Sequence, residues 1–280
     1  MRFVSPTFSD LYEANIEVRK FPDGDCYVRL LSPEKGSGEA FLFHCLYPKQ
    51  DEALVQAVLM LGAVKELGYS PTLVSPYLPY SRQDKVFKEG EAKSAELVCA
   101  MLKDAGAKKL VTFDCHFLKK AGTFEYGGLK IENLTMNEEL VKAAGEKFGG
   151  EFEVMGPDMG ARYLVEAFGG KSMEKVRGEY REGGEAYREI KEMKVEGDLR
   201  GKDVLILDDM ISTGSTMVKA AERLRAEGAG KIIFAATHGF FLKDSLSTLS
   251  ELGEVIVSDS IPSPASSVSI KEKLEQACTE

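Results

Sequence analysis

Asp208 and Asp209 stand side by side directly after the apolar run Val204, Leu205, Ile206 and Leu207, and Ser212, Thr213, Gly214, Ser215 and Thr216 follow closely. Adjacent carboxylates accept hydrogen bonds from vicinal hydroxyls. A run of small residues around a glycine lets several backbone amides approach one anion. Together the two features suit a sugar phosphate, with the polyol at the acids and the phosphate at the loop. A helix terminus contributes only about 0.3–1 kcal/mol per charge, so converging amides and hydroxyls must do most of the holding. A serine or threonine capping a helix would explain one hydroxyl; it does not explain paired acids at the end of an apolar strand.

For that chemistry the acids must lie at the carboxyl end of a strand and the loop must open a helix, the place where open α/β sheets bind ligands. The rest of the chain is built to provide this. Strand-like runs at residues 39–45, 71–77 and 108–114 alternate with helical patterns at 51–68 and 94–106. The alternation resumes with strands at 151–156, 202–209 and 231–239, and helices near 159–168 and at 216–228. Such a series predicts parallel sheets with helices on both faces. LKDAGAKKLVTFDCH (residues 102–116) echoes LRAEGAGKIIFAATH (224–238) in length, glycine, strand and terminal histidine. The echo predicts two related α/β halves, residues 1–134 and 135–280, with the extreme C-terminus folding back on the first half.

The chain has 280 residues, enough for a substantial core, with 44% hydrophobic and 29% charged residues. A net charge of −9 argues against a broad nucleic-acid-binding surface but leaves room for a local basic pocket. No stretch approaches a membrane span, and the first residues lack the apolar core of a signal peptide. The five cysteines form no CxxC pair and read as reduced thiols. The expectation is a cytoplasmic protein.

VLILDDMISTGSTM (204–217) resembles the ribose 5-phosphate/PRPP loop shared by phosphoribosyltransferases and ribose-phosphate pyrophosphokinases. Ser212 stands where many members have a third acid, and Ser215 where a second glycine is usual. Further segments are similar to the pyrophosphokinases, in family order: RKFPDGDCYVRL (19–30), PYLPYSRQDKVFKEGEAKSAELV (76–98), FDCH (113–116), GPDMGA (156–161), EKVRG (174–178), THG (237–239) and SDSIP (258–262). Length and loop look like the short archaeal form. The resemblance implies two phosphoribosyltransferase-like halves, the first for ATP and the second for ribose 5-phosphate. It assigns Asp208, Asp209, Ser212, Thr213, Gly214, Ser215 and Thr216 to the sugar phosphate. Phe21, Asp23, Asp25, Arg82, Gln83 and Asp84 go to ATP, His116 and Asp158 to Mg²⁺, and Lys175 and Arg177 to catalysis. It also implies a homo-oligomer.

The residues themselves say less at some of these positions. Arg82 offers a planar fork for phosphate or base and Gln83 a two-sided amide, yet SRQDKVFKEG alone reads as a solvated turn. Asp114 has no fixed role, and His44 and His238 are left out of the chemistry. Residues 172–193 are charged and glycine-containing and lack a clean period, which fits a loop that opens and closes over phosphates. The reaction implied is transfer of the β,γ-diphosphoryl group of ATP to the 1-hydroxyl of ribose 5-phosphate, giving PRPP and AMP. The alternatives are a PRPP-consuming phosphoribosyltransferase and a catalytically silent regulatory homologue.

Overall fold

The structure, a computed structural model, describes residues 1–177, 190–194 and 198–279. The chain forms two compact units, one of Met1–Thr135 with Lys271–Glu280 and the other of Met136–Ile270.

The first unit contains strands β1 (Arg2–Val4), β2 (Ile16–Lys20), β3 (Cys26–Leu30), β4 (Glu39–Phe43), β5 (Ser70–Val74), β6 (Lys109–Phe113), β7 (Gly122–Tyr126) and β8 (Leu129–Leu134). Its helices are α1 (Gln50–Glu66) and α2 (Ser94–Asp104). The sheet order is β1-β4-β5-β6-β8-β7, parallel except for β7. Gly127 and Gly128, with φ of 57° and 71°, turn β7 into β8. A Cβ on Gly127 would lie 2.5 Å from the Glu96 carbonyl of α2, so that turn admits no side chain. β2 and β3 form a separate antiparallel hairpin packed on α1. On α1 the buried residues Ala53, Leu54, Ala57, Met60, Leu61 and Val64 recur every three to four positions, the stripe that faces the sheet.

The second unit contains α3 (Asn137–Phe148), β9 (Phe152–Gly156), α4 (Arg162–Val165), β10 (Lys171–Ser172), β11 (Glu174–Arg177), β12 (Ile190–Lys194), β13 (Asp203–Ile211), α5 (Ser215–Ala226), β14 (Ile232–Gly239), α6 (Ser245–Leu252), β15 (Glu254–Ser258) and β16 (Ser266–Val268). Helix α7 (Lys271–Ala277) returns to the first unit. The sheet order is β10-β9-β13-β14-β15-β16, parallel throughout. Val204, Leu205, Ile206 and Leu207 are fully buried because β13 lies between β9 and β14 with helices on the faces, the setting in which a strand reads as one apolar run. Truncating one of them to alanine is expected to cost about 2–5 kcal/mol.

The succession β4-α1-β5-α2-β6 in the first unit matches β9-α4-β13-α5-β14 in the second, where β10, β11 and β12 are inserted between α4 and β13, with the matched strands adjacent in the same order. The echo between residues 102–116 and 224–238 is therefore α2-β6 against α5-β14. Three local expectations change. β13 continues to Ile211, past the expected end at residue 209, so the two acids lie inside the strand rather than at its end. The helix expected near residues 159–168 is broken into a 3₁₀ turn at Met159–Ala161, the short α4, and a second 3₁₀ turn at Glu166–Phe168. Within the stretch read as lacking a period, β11 and β12 pair antiparallel.

Candidate substrate sites

In the second unit, β13 delivers the two acids and α5 receives the loop. Asp209 is buried, and its amide donates to Asp208 Oδ1 at 2.9 Å. Asp158 follows the neighbouring strand β9, its Oδ1 accepting from the Gly160 amide at 2.7 Å. Burial first, then the charges of Asp209 and Asp158, push the Asp208 carboxyl well above the usual carboxylate range. These carboxylates thus share one electrostatic neighbourhood at a net cost, which a cation or hydroxyl donors would relieve. Among the described residues no three His, Cys, Asp or Glu side chains form a metal cage.

The loop leaves β13 under tight control. Ile211 C=O accepts from the Phe240 amide at 2.9 Å, and Ser212 C=O from the Leu242 amide at 3.0 Å and Ser245 Oγ at 3.1 Å. Gly214 adopts φ 72°, and a Cβ there would lie 3.1 Å from the Ser245 Cβ. A glycine is needed on both counts. Gly214 also occupies the N-cap of α5, so no side chain at that position caps the helix. The first bond of the helix runs from the Val218 amide to Gly214 C=O, which leaves the amides of Ser215, Thr216 and Met217 as the anion-facing first turn of a helix. Thr213 Oγ1 and Ser215 Oγ lie 3.3 Å apart.

Sequence reasoning missed the mount of this loop, residues 240–245. The signal was faint: Phe241 and Lys243 adopt φ of 47° and 59°, which their residue types do not announce. The THG and SDSIP segments meet there as scaffold. Ser258 Oγ and Ser260 Oγ both donate to Thr237 C=O, at 2.6 and 2.7 Å, and the His238 Nδ1 lies 2.9 Å from Ser260 Oγ. With the Ser260 proton already donated, Nδ1 carries the hydrogen of that contact.

In the first unit, two loops leave the carboxyl ends of the adjacent parallel strands β5 and β6. The first carries Arg82, Gln83 and Asp84. Gln83 amide donates to Tyr80 C=O at 3.0 Å, and Tyr80, at φ 62°, donates its hydroxyl to Asp51. The second carries His116, half-buried, behind the buried and backbone-strained Asp114 (φ 34°). Asn133 on β8 clamps it, accepting from the Cys115 amide and donating to Lys120 C=O, both at 2.9 Å. Tyr126 joins the two loops. Its hydroxyl donates to Asp84 C=O at 2.6 Å, and its ring lies 4.4 Å from that of Phe117.

Phe21, Asp23 and Asp25 sit at the exposed tip of the β2–β3 hairpin, outside the six-stranded sheet. Phe21 packs edge-on against Tyr27 at 5.5 Å, and the Arg19 guanidinium lies 4.1 Å over the same ring. His116 belongs to the first unit and Asp158 to the second. Lys175 and Arg177 belong to β11 by their backbone; their side chains lie outside the described residues, as do residues 178–189. His44 is structural: Nδ1 meets Ser5 Oγ at 2.9 Å, Nε2 meets Ala53 C=O at 3.0 Å, and burial pulls its pKa down to about 4.

Residues 9–106 match the family described as the N-terminal domain of ribose phosphate pyrophosphokinase, and residues 179–275 the phosphoribosyl synthetase-associated domain. The chain is 40% identical over 262 residues to the ribose-phosphate pyrophosphokinase of Pyrococcus furiosus, spanning 91% of this chain and 89% of that relative. It is 37% identical over 271 residues to the enzyme of the same name from Methanopyrus kandleri, spanning 94% and 90%. Its structure is similar to phosphoribosylpyrophosphate synthetase from Mycobacterium smegmatis, with TM-score 0.81, 27% identity and coverage of 99% and 96%.

Proposed function

Because the chain belongs to the ribose-phosphate pyrophosphokinase family and makes PRPP from ribose 5-phosphate and ATP, we propose that its second unit holds the sugar phosphate and its first unit the nucleotide. The carrying observation is the pairing of the raised Asp208 carboxyl with the left-handed Gly214 loop. Asp208 and Asp209 accept from the ribose hydroxyls, while the amides and hydroxyls of Ser212, Thr213, Gly214, Ser215 and Thr216 surround the 5-phosphate. Arg82, Gln83 and Asp84 hold ATP together with Phe21, Asp23 and Asp25 of the hairpin tip. The PRPP-consuming alternative loses its support, since relatives matched across nearly their whole length are named as pyrophosphokinases.

Mg²⁺ fits the donors present. Asp158 lies among carboxylates whose repulsion a cation would relieve. When bound, the ion neutralises phosphate oxygens. Lys175 and Arg177 then act on the transferring group itself. As the 1-hydroxyl of the sugar attacks the β-phosphorus of ATP, charge builds on the β-oxygens and on the departing AMP, and the two cations stabilise it. Protein positioning and charge do the work, and no covalent enzyme intermediate is required. The five free cysteines support a reducing, cytoplasmic setting, no described helix is long and apolar enough to cross a membrane, and a homo-oligomer is the expected solution state.

Lys175→Ala tests the catalytic assignment. AMP release from ATP and ribose 5-phosphate is expected to fall by about 10³ or more with ribose 5-phosphate affinity retained. Unchanged turnover would overturn it.

A further inference from the structure

Glu91 lies just before α2, within the segment similar to the family's nucleotide segment but not among the residues assigned to ATP, and one of its carboxylate oxygens is the hub of the loop that follows Arg82. Its Oε2 accepts from the Phe87 amide at 2.9 Å, the Lys88 amide at 3.0 Å and Gln83 Nε2 at 3.1 Å. The backbone donors of Lys88 and Phe87, in that order, hold its carboxyl below the ordinary range, so it stays a pure acceptor at neutral pH. Gln83 Nε2 also donates to Lys85 C=O at 3.1 Å.

A side-chain amide has two orientations that are usually hard to distinguish, because oxygen and nitrogen are nearly the same size. Here the partners decide. A carboxylate and a carbonyl only accept, so both must face nitrogen, and both amide protons of Gln83 are used. What remains for a ligand is Oε1, an acceptor. The segment around it is also fixed from outside: Gln83 C=O accepts from the Ala95 amide of α2 at 3.2 Å, and Asp84 C=O from the Tyr126 hydroxyl at 2.6 Å. The backbone is held, and Glu91 sets which face of the amide is offered.

We propose that Glu91 is a positioning residue for nucleotide specificity, locking Gln83 as a hydrogen-bond acceptor that favours a 6-aminopurine over a 6-oxopurine. The proposal rests on the placement of the base near residues 82–84. An amino group at position 6 donates to Oε1, whereas an oxo group there meets acceptor with acceptor. Freed from Glu91, the amide can turn its nitrogen outward and satisfy either purine.

The test compares kcat/KM for PRPP formation with ATP and with GTP, at saturating ribose 5-phosphate and Mg²⁺, in the wild-type chain, Glu91→Met and Gln83→Leu. Phe87 and Lys88 are exposed, so water replaces the acceptor their amides lose and the Glu91→Met chain still folds. The wild type is expected to prefer ATP, and Glu91→Met to shrink that preference by about tenfold, the scale of one oriented hydrogen bond. Most of the change is expected as gained GTP activity, which mere loosening of the loop would not produce. Gln83→Leu is expected to shrink the preference as well. If Gln83→Leu shrinks it and Glu91→Met lowers both activities by the same factor, the role of Glu91 is overturned while the base placement stands. If neither variant alters the ratio, or the wild type is indifferent to the two purines, the base placement fails and the proposal with it.

Discussion

Asp208 holds its proton more tightly in the folded chain than in the unfolded one, because burial and two neighbouring carboxylates penalise its charge. The sign follows from linkage. A carboxyl raised on folding favours the folded state at low pH, and that contribution is lost as pH rises from the unfolded carboxylate range through the raised value. Asp208→Asn removes the penalty. Its unfolding midpoint without ligands is expected to exceed that of the wild type at pH 8, with the gap closing toward pH 4, while PRPP formation falls by about a hundredfold or more. Thermal melts at the two pH values, with an activity assay, check both halves; a lower midpoint at pH 8 would contradict them. This residue was legible in the sequence because charge at the end of an apolar run is anomalous without a partner. Ser245, Asn133 and Glu91 were not. Each is an ordinary polar residue whose role comes from a partner brought near by folding, as with Ser245 meeting Ser212 across 33 positions.

Among the elements, the strands were the readable part, since buried parallel strands are continuous apolar runs. Their ends were less so. The acids of β13 look like a terminus by hydropathy, but the Ile211 carbonyl is still held by the chain beyond β14, and the strand continues. The segment at 159–168 failed as one helix because Asp158 captures the Gly160 amide and starts a 3₁₀ turn, and Gly169 ends the segment at φ 69°. Between β6 and β8 the clamp is Asn133. Asn133→Leu leaves the buried Cys115 amide without its acceptor and is expected to destabilise the first unit by about 1–3 kcal/mol. The KM for Mg·ATP is expected to rise with the KM for ribose 5-phosphate unchanged, as steady-state kinetics would show. His44 ties β4 to α1 and to Ser5. Its folded pKa, near 4, lies below the ordinary 6.5, so the unfolded chain takes up the proton first and stability is lost as pH falls between those values. The full loss is roughly 3 kcal/mol. Urea unfolding of wild type and His44→Leu at pH 7 and pH 4.5 should show a smaller pH dependence in the variant; equal dependence would contradict the buried neutral imidazole.

At the scale of the molecule, the chain repeats one plan, with β4-β5-β6 answered by β9-β13-β14. In that plan the loop after β5, carrying Arg82, corresponds to the loop after β13, which carries Gly214. The repetition was visible in the sequence at only one place, where helix, glycine, strand and histidine kept register, and the correspondence is not complete. His116 lies in the loop past β6, whereas His238 lies within β14. The same architectural position has therefore been given different chemistry in each unit: cations and amides after β5, carboxylates and small hydroxyls around β13. Binding of each substrate alone to single variants tests this division most directly. With Mg²⁺ present, calorimetric titration should show Ser215→Asp losing ribose 5-phosphate affinity by about a hundredfold, through charge repulsion of the phosphate, with affinity for a non-hydrolysable ATP analogue within about twofold of wild type. Arg82→Ala should show the reverse. If Ser215→Asp instead weakens the nucleotide, or Arg82→Ala the sugar phosphate, the assignment of one substrate to each unit is wrong.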